Sequence, residues 1–295
     1  MLLTVEGLSK RYKTNIVVDN IEFDIQPNQC VALLGPNGAG KTTTLQMLSG
    51  LLKPDSGQIT FQGCKNIDRT QIGFLPQYPS FFPWMTAVEF LYFAGKLSKM
   101  EKGKLKDKIN NVLHFVDLHH AKNKKIGGFS GGMKQRLGLA QALIHEPKLL
   151  ILDEPVSALD PTGRRDVLRI LEELKKKTSI LFSTHILHDA EQVCDEIIMM
   201  KAGKVKWSGS IKRLKERTRN GYFFLKTEGD IKSWLSKKDY IREANFSNSS
   251  TVTFKLTSNQ YCNCLLEDCI KQEITIIHFE ERSGTLEDAY MEVMG

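Results

Sequence analysis

The sequence predicts an α/β fold with a β-rich lobe, a parallel-sheet core and a helical subdomain, followed by a small α+β domain. Three observations carry this. Strand-like segments near 149–153, 180–183 and 196–200 alternate with helical patterns at 163–177 and 187–194, the alternation of a parallel sheet. A glycine-rich loop, Gly35 to Gly40, follows the apolar run Val31-Ala32-Leu33-Leu34 and precedes a helical pattern. The charge balance also changes sign along the chain. Residues 1–219 carry 33 Lys and Arg against 22 Asp and Glu, a net +11, whereas residues 220–295 carry 8 against 12, a net −4. The expected division is 1–218 and 219–295.

Taken in order, strand-like stretches at 2–5, 16–18, 21–25, 31–34 and 58–61 are expected to build the β-rich lobe. Residues 86–95 and 109–116 repeat apolar side chains at helical spacing and should form the helical subdomain. The segment 212–221, rich in Lys and Arg, reads as a helix end and linker. Beyond it, strands are expected at 222–227, 250–256 and 274–279, with helices near 230–237, 259–271 and 285–293.

The loop Gly35-Pro36-Asn37-Gly38-Ala39-Gly40 can turn its N–H groups inward, because glycine tolerates positive φ and has no Cβ to obstruct an anion. Lys41 then reaches the β- and γ-phosphates of a nucleotide, and the Thr42 hydroxyl is placed to coordinate Mg²⁺. Thr43 opens the helical segment that points its positive end at the phosphates, so it belongs with the nucleotide-binding residues. In the second apolar run, Leu149 to Leu152 delivers Asp153 to the carboxyl end of a buried strand, where P-loop ATPases hold Mg²⁺ with an aspartate. Glu154 follows directly and is placed to polarise an attacking water. The pattern points to ATP binding and hydrolysis.

Phe129-Ser130-Gly131-Gly132-Met133-Lys134-Gln135-Arg136 lies between these motifs. With its neighbours it makes residues 1–218 resemble the nucleotide-binding subunit of an ATP-binding-cassette (ABC) transporter. The resemblance implies that Ser130, Gly131 and Gly132 contact the γ-phosphate of ATP held by a second chain. The reading of the residues agrees, since Ser130 can cap a helix from Gly132 to Leu143 whose positive end faces an anion. Phe129 and Met133 stand where the commonest family wording has leucine and glutamine. By the same resemblance Tyr12 stacks on adenine, with an exposed hairpin tyrosine as the plain alternative. Gln77 reaches the metal and the attacking water, Asp160 crosses the dimer interface in Ser157-Ala158-Leu159-Asp160, and His185 touches the γ-phosphate. The partners implied are a polytopic membrane permease and a second ABC ATPase chain, with ATP and Mg²⁺ as ligands and no nucleic acid. The same cassette also powers soluble proteins acting on ribosomes or DNA. Those branches carry two cassettes or a long inserted coiled coil, and neither is present in this sequence.

The stretch Tyr78-Pro79-Ser80-Phe81-Phe82-Pro83-Trp84-Met85 is unusually aromatic for a loop. Local packing is one reading. Resemblance places the stretch at the cleft that receives a permease helix, which makes Phe81, Phe82 and Trp84 candidates for a docking surface. The ending Gly284 to Gly295 resembles the close of ATPase subunits in bacterial drug, antibiotic-resistance and ion exporters with separate permeases, which implies export.

At 295 residues, 41% hydrophobic and 25% charged, the chain has room for one large and one small domain. No run approaches the roughly eighteen apolar residues that span a bilayer, and Met1 to Glu6 turns acidic too soon for a signal peptide. A peripheral protein on the cytoplasmic face of the cell membrane is expected. Lys and Arg at 99–108, 122–125, 175–177 and 212–219 are interleaved with acidic or polar residues and read as solvated faces, a polyanion-binding surface being the alternative. The cysteines at 30, 64, 194, 262, 264 and 269 lack paired spacing and read as reduced thiols. Cys262, Cys264 and Cys269 cluster, with His278 the nearest histidine, but without a two-residue knuckle they read as small packing residues.

Overall fold

The computed structural model describes residues 1–65, 67–157, 159–217, 221–258, 260–282 and 285–295. Two compact units divide between Ile211 and Lys212. The boundary expected at 218–219, together with Ala158, Asn259 and Gly284, lies outside the described residues.

In the first unit β1 (Leu3–Tyr12) and β2 (Asn15–Ile25) form an antiparallel hairpin closed by Tyr12 opposite Asn15, with Lys13 at φ 54° in its turn. β3 (Cys30–Leu34) leads into the glycine loop and α1 (Lys41–Leu48). β4 (Ser56–Phe61) returns to pair with β1, giving a three-stranded sheet in the order β2-β1-β4. The sequence placed residues 31–34 in this lobe. Instead β3 lies inside a six-stranded sheet, and all five of its residues are buried. Burial on both faces is what an uninterrupted Cys-Val-Ala-Leu-Leu run suits, whereas a half-exposed lobe strand would alternate.

The larger sheet is completed by β5 (Ile72–Leu75), β6 (Leu149–Leu152), β7 (Ser179–Thr184), β8 (Glu196–Lys201) and β9 (Lys204–Ser210). Its order is β5-β6-β7-β3-β8-β9, parallel except for β9, which turns back along β8. Three helices intervene between β5 and β6: α2 (Ala87–Leu97), α3 (Lys102–Phe115) and α4 (Gly131–Leu143). They contact one another to form the helical subdomain. Thr86 and Glu89 close a capping box at the start of α2, so two otherwise orphaned backbone donors are satisfied there.

Two glycines let α4 approach β5. A Cβ on Gly73 would stand 2.2 Å from the Ala142 carbonyl, and one on Gly138 would stand 2.5 Å from the Leu75 side chain. Gly73→Ala is expected to cost about 1–3 kcal/mol, because backbone must move to admit the methyl. Urea unfolding of the two proteins, compared at equal m-value, measures it. The remaining helices of this unit are α5 (Pro161–Leu174), capped by Asp160 through the Gly163 N–H, and α6 (Leu187–Val193). The expected helix at 163–177 begins earlier because Pro161 is preorganised for the first helical position.

α7 (Ile211–Arg217) begins at the division. The second unit then runs β10 (Tyr222–Thr227), α8 (Lys232–Leu235), β11 (Ile241–Asn248), β12 (Thr251–Leu256), α9 (Tyr261–Lys271), β13 (Ile276–Arg282) and α10 (Leu286–Met294). Its antiparallel sheet has the order β11-β12-β10-β13, the βαββαβ arrangement with the first strand central. Phe223, Leu225, Val252 and Phe254 bury one face with Leu235, Leu265 and Cys269. Cys269 is thus a core residue and Cys262 packs beside it, while Cys264 is exposed. In the first unit, Cys30 and Cys194 come to 3.2 Å between sulfurs, a proximity that their separation in sequence conceals. No helix among the described residues is long and apolar enough to cross a membrane.

Candidate functional site

The carboxyl ends of β3, β6 and β7 converge on a cavity of about 510 Å³. The parallel sheet produces this convergence, since neighbouring strands present successive loops on one edge. Asn37 to Thr43, Gln77, Glu154 and His185 line the cavity, and Val17, Tyr78 and Ser157 complete it. Gly38 at φ 79° and Gly40 at φ 99° supply the left-handed backbone the loop needs. Gly35 has a different reason: a Cβ there would meet the Met200 carbonyl at 2.3 Å.

Lys41 is buried, and its ammonium donates to the carbonyls of Gly35 at 2.8 Å and Pro36 at 3.2 Å. It also lies 3.7 Å from Glu154 Oε1. Burial pushes the Lys41 ammonium below its ordinary pKa, opposed by the charges of Glu154 and Asp153. The site thus holds a cation that gains from an anionic ligand.

One hydroxyl organises the acidic side. Ser183 donates to Asp153 Oδ1 at 2.7 Å and accepts the Glu154 backbone N–H at 2.9 Å. Thr42 reaches the same Asp153 oxygen at 3.1 Å. These oxygen donors, a carboxylate and an adjacent hydroxyl, are the hard set that Mg²⁺ prefers. Glu154 is the hub. Gln77 Nε2 donates to its Oε2 at 3.2 Å, and His185 Nδ1 lies 3.2 Å from its Oε1. Its backbone sits at φ 44°, a conformation rare for a residue with a side chain and found where surrounding structure imposes it.

The remaining expected residues lie elsewhere. Tyr12 ends β1, is about half exposed and has the Lys10 ammonium 5.8 Å from its ring centre; Val17, which the sequence reading passed over, lines the cavity instead. Ser130 caps α4 by accepting the Met133 N–H at 3.3 Å, and the helix begins at Gly131, one residue before the expected start. Ser130 and Gly131 are exposed, and space is open above Gly131. Asp160 is exposed and its carboxylate caps α5. None of Tyr12, Ser130 to Gly132 or Asp160 lines the cavity. Ser183 was also missed as a site residue. Its signal was its place two residues before His185 on a buried strand, where a hydroxyl must find partners.

The aromatic loop divides in two. Phe81 is half-buried and packs edge-on against Phe90 at 5.0 Å, so it serves local packing. Phe82 and Trp84 are 40% and 66% exposed and contact each other at 5.3 Å. Phe93, also exposed, packs on Phe82 at 5.9 Å.

Residues 18–157 match the family described as "ABC transporter", and residues 209–294 match that described as "ATP-binding protein DrrA1-3-like, C-terminal domain". The chain is 53% identical over 293 residues to the uncharacterized ABC transporter ATP-binding protein YxlF of Bacillus subtilis (strain 168), covering 99% of each. It is 40% identical over 226 residues to the bacitracin transport ATP-binding protein BcrA of Bacillus licheniformis, covering 74% of this chain and 72% of that one. Among solved structures it resembles an ATP-binding subunit of an ABC transporter at TM-score 0.67 and 32% identity, covering 74% of this chain and 93% of the other.

Proposed function

Because the chain belongs to the ATP-binding subunits of ABC transporters, an ATPase family, we propose that two such chains close around two Mg-ATP and drive a separate membrane permease, with export of a drug, antibiotic, lipid or ion as the work done. The observation that carries this is the single carboxylate of Glu154 held among Lys41, Gln77 and His185 at the mouth of the glycine loop. That arrangement suits an in-line attack of water on a γ-phosphate. Glu154 accepts the water's proton, and Gln77 and His185 fix its carboxylate. Lys41 and the loop N–H groups take the phosphate charge. Thr42 and Asp153 would hold Mg²⁺, which neutralises charge on the β- and γ-phosphates when bound.

Ser130, Gly131 and Gly132 complete the second face of the nucleotide from the partner chain. The exposure of Ser130 and Gly131 and the open space above Gly131 support that role, as does their place at the start of α4. Asp160, exposed at the start of α5, contacts the partner, and Tyr12 stacks on the base. Export is supported by the DrrA-like C-terminal region and by the bacitracin-transport relative. The chain then works at the cytoplasmic face of the cell membrane, attached through its permease.

Phe82, Trp84 and Phe93 form the permease surface. Beside them runs a groove of about 310 Å³ whose lining includes Phe74, Phe90, Phe93 and Leu97. Replacing both Phe82 and Trp84 by alanine is expected to reduce recovery of the permease at least about tenfold, since aromatic anchors dominate such interfaces. Mg-ATP affinity of the isolated chain should stay unchanged, which equilibrium binding of a fluorescent ATP analogue checks.

The reading as a whole is tested by recovering tagged Glu154→Gln protein from detergent-solubilised membranes in Mg-ATP. A co-purifying polytopic membrane protein supports it. Ribosomes or nucleic acid in its place would transfer the chain to the soluble branch of the family.

A further inference from the structure

Asp189 on α6 is fully buried, four residues beyond His185. Its Oδ1 accepts two hydrogen bonds from Arg164, from Nε at 2.9 Å and from Nη2 at 2.6 Å. Its Oδ2 is buried and has no hydrogen-bond partner among the described residues. Arg164 stands in the first turn of α5, four residues beyond Asp160. Arginine normally meets a carboxylate fork to fork, one nitrogen on each oxygen. Here both nitrogens converge on one oxygen, and leaving the other bare in the interior is costly. A fork-to-fork pairing of the same two side chains would satisfy both oxygens, and a packed contact with two discrete arrangements can carry a signal.

Resting on the function proposed above, we infer that Arg164 and Asp189 are a positioning pair that couples partner contact at Asp160 to the placement of His185. Engagement of the Asp160 loop by the second chain shifts α5 along α6, and the guanidinium takes both carboxylate oxygens. α6 is then fixed, and with it His185 at its head. Neither residue lines the cavity. A static staple between the two helices would use the same residues, but it would not separate binding from turnover.

Arg164→Lys keeps the positive charge and removes the planar fork. Asp189→Asn keeps one acceptor oxygen and replaces the other by a donor that opposes the guanidinium. In the full chain with its permease, each is expected to lower kcat about tenfold while KM for ATP stays within about twofold. In the Glu154→Gln background each should also weaken the dimer formed in Mg-ATP, read by size-exclusion chromatography. Either variant turning over ATP at the parent kcat overturns the inference. So does a parallel fall of kcat, Mg-ATP affinity and melting temperature in both, which marks a staple only. Glu154→Gln alone, run beside them, keeps the two claims apart: normal turnover there refutes the role of Glu154, whatever Arg164 does.

Discussion

Glu154→Gln should lower ATP turnover about 10²–10⁴-fold, the contribution a positioned general base makes, while Mg-ATP binding persists and a nucleotide-bound dimer accumulates. The amide matches the carboxylate in size, so the φ of 44° and the backbone bond to Ser183 can remain. What disappears is an acceptor for the water's proton. One negative charge also leaves a site that must receive the phosphates of ATP, so the bound state loses a repulsion as it loses its exit by hydrolysis. His185 and Gln77 keep a hydrogen-bonding partner, which makes the change one of chemistry more than of packing. Phosphate release measures the first effect, and size-exclusion chromatography with and without Mg-ATP measures the second. Turnover at the ordinary rate would remove Glu154 from the role given to it.

Lys41→Ala is the second large effect, and it acts on binding. A charge-assisted hydrogen bond is worth about 1.5–3 kcal/mol, so Kd for Mg-ATP should rise roughly 10- to 150-fold and nucleotide-dependent association should vanish at working concentrations. Loss of the cation also leaves Glu154 and Asp153 facing the phosphates without the charge now 3.7 Å from Glu154. The substitution also removes the ammonium's bonds to the Gly35 and Pro36 carbonyls, an effect on the fold distinct from that on the ligand. Isothermal titration for affinity and thermal unfolding without nucleotide separate the two. Equal affinity in mutant and parent would mean that the loop N–H groups alone hold the phosphates.

Much of the site was legible because its signals are local. Gly35 to Thr43 and Asp153 with Glu154 each encode a turn and a helix or strand end within a few residues. Ser183 was passed over because its partners, Asp153 and the Glu154 N–H, lie at the end of another strand that only folding brings beside it. Val17 was missed because an apolar residue on a hairpin carries no mark of a binding wall. β3 was assigned to the wrong sheet, since neighbours in sequence at 21–25 and 58–61 do not reveal which strands it will pair with. Three strands were not recognised. β5 is four residues with a glycine inside, β9 alternates lysine with apolar residues before Gly209, and β11 is mostly exposed and scatters its apolar residues, Ile241, Ala244 and Phe246, among polar ones without strict alternation. Phe81 and Phe82 are indistinguishable in sequence and point to different fates, one packed on Phe90 and one exposed.

The central position of β3 sets a timetable for the nascent chain. Its partners arrive late: Val31 pairs with Leu181 on one side and Glu196 on the other. At about 5–20 residues per second, the ribosome needs roughly ten to thirty seconds after making the glycine loop before the strands that seat it exist. The lobe of β1, β2 and β4 closes far sooner, with all its pairings inside the first 61 residues. Such long-range pairing slows folding. A chain arrested before residue 179 carries every atom of the loop yet lacks β7, the strand that pairs with β3, and His185 of the cavity wall.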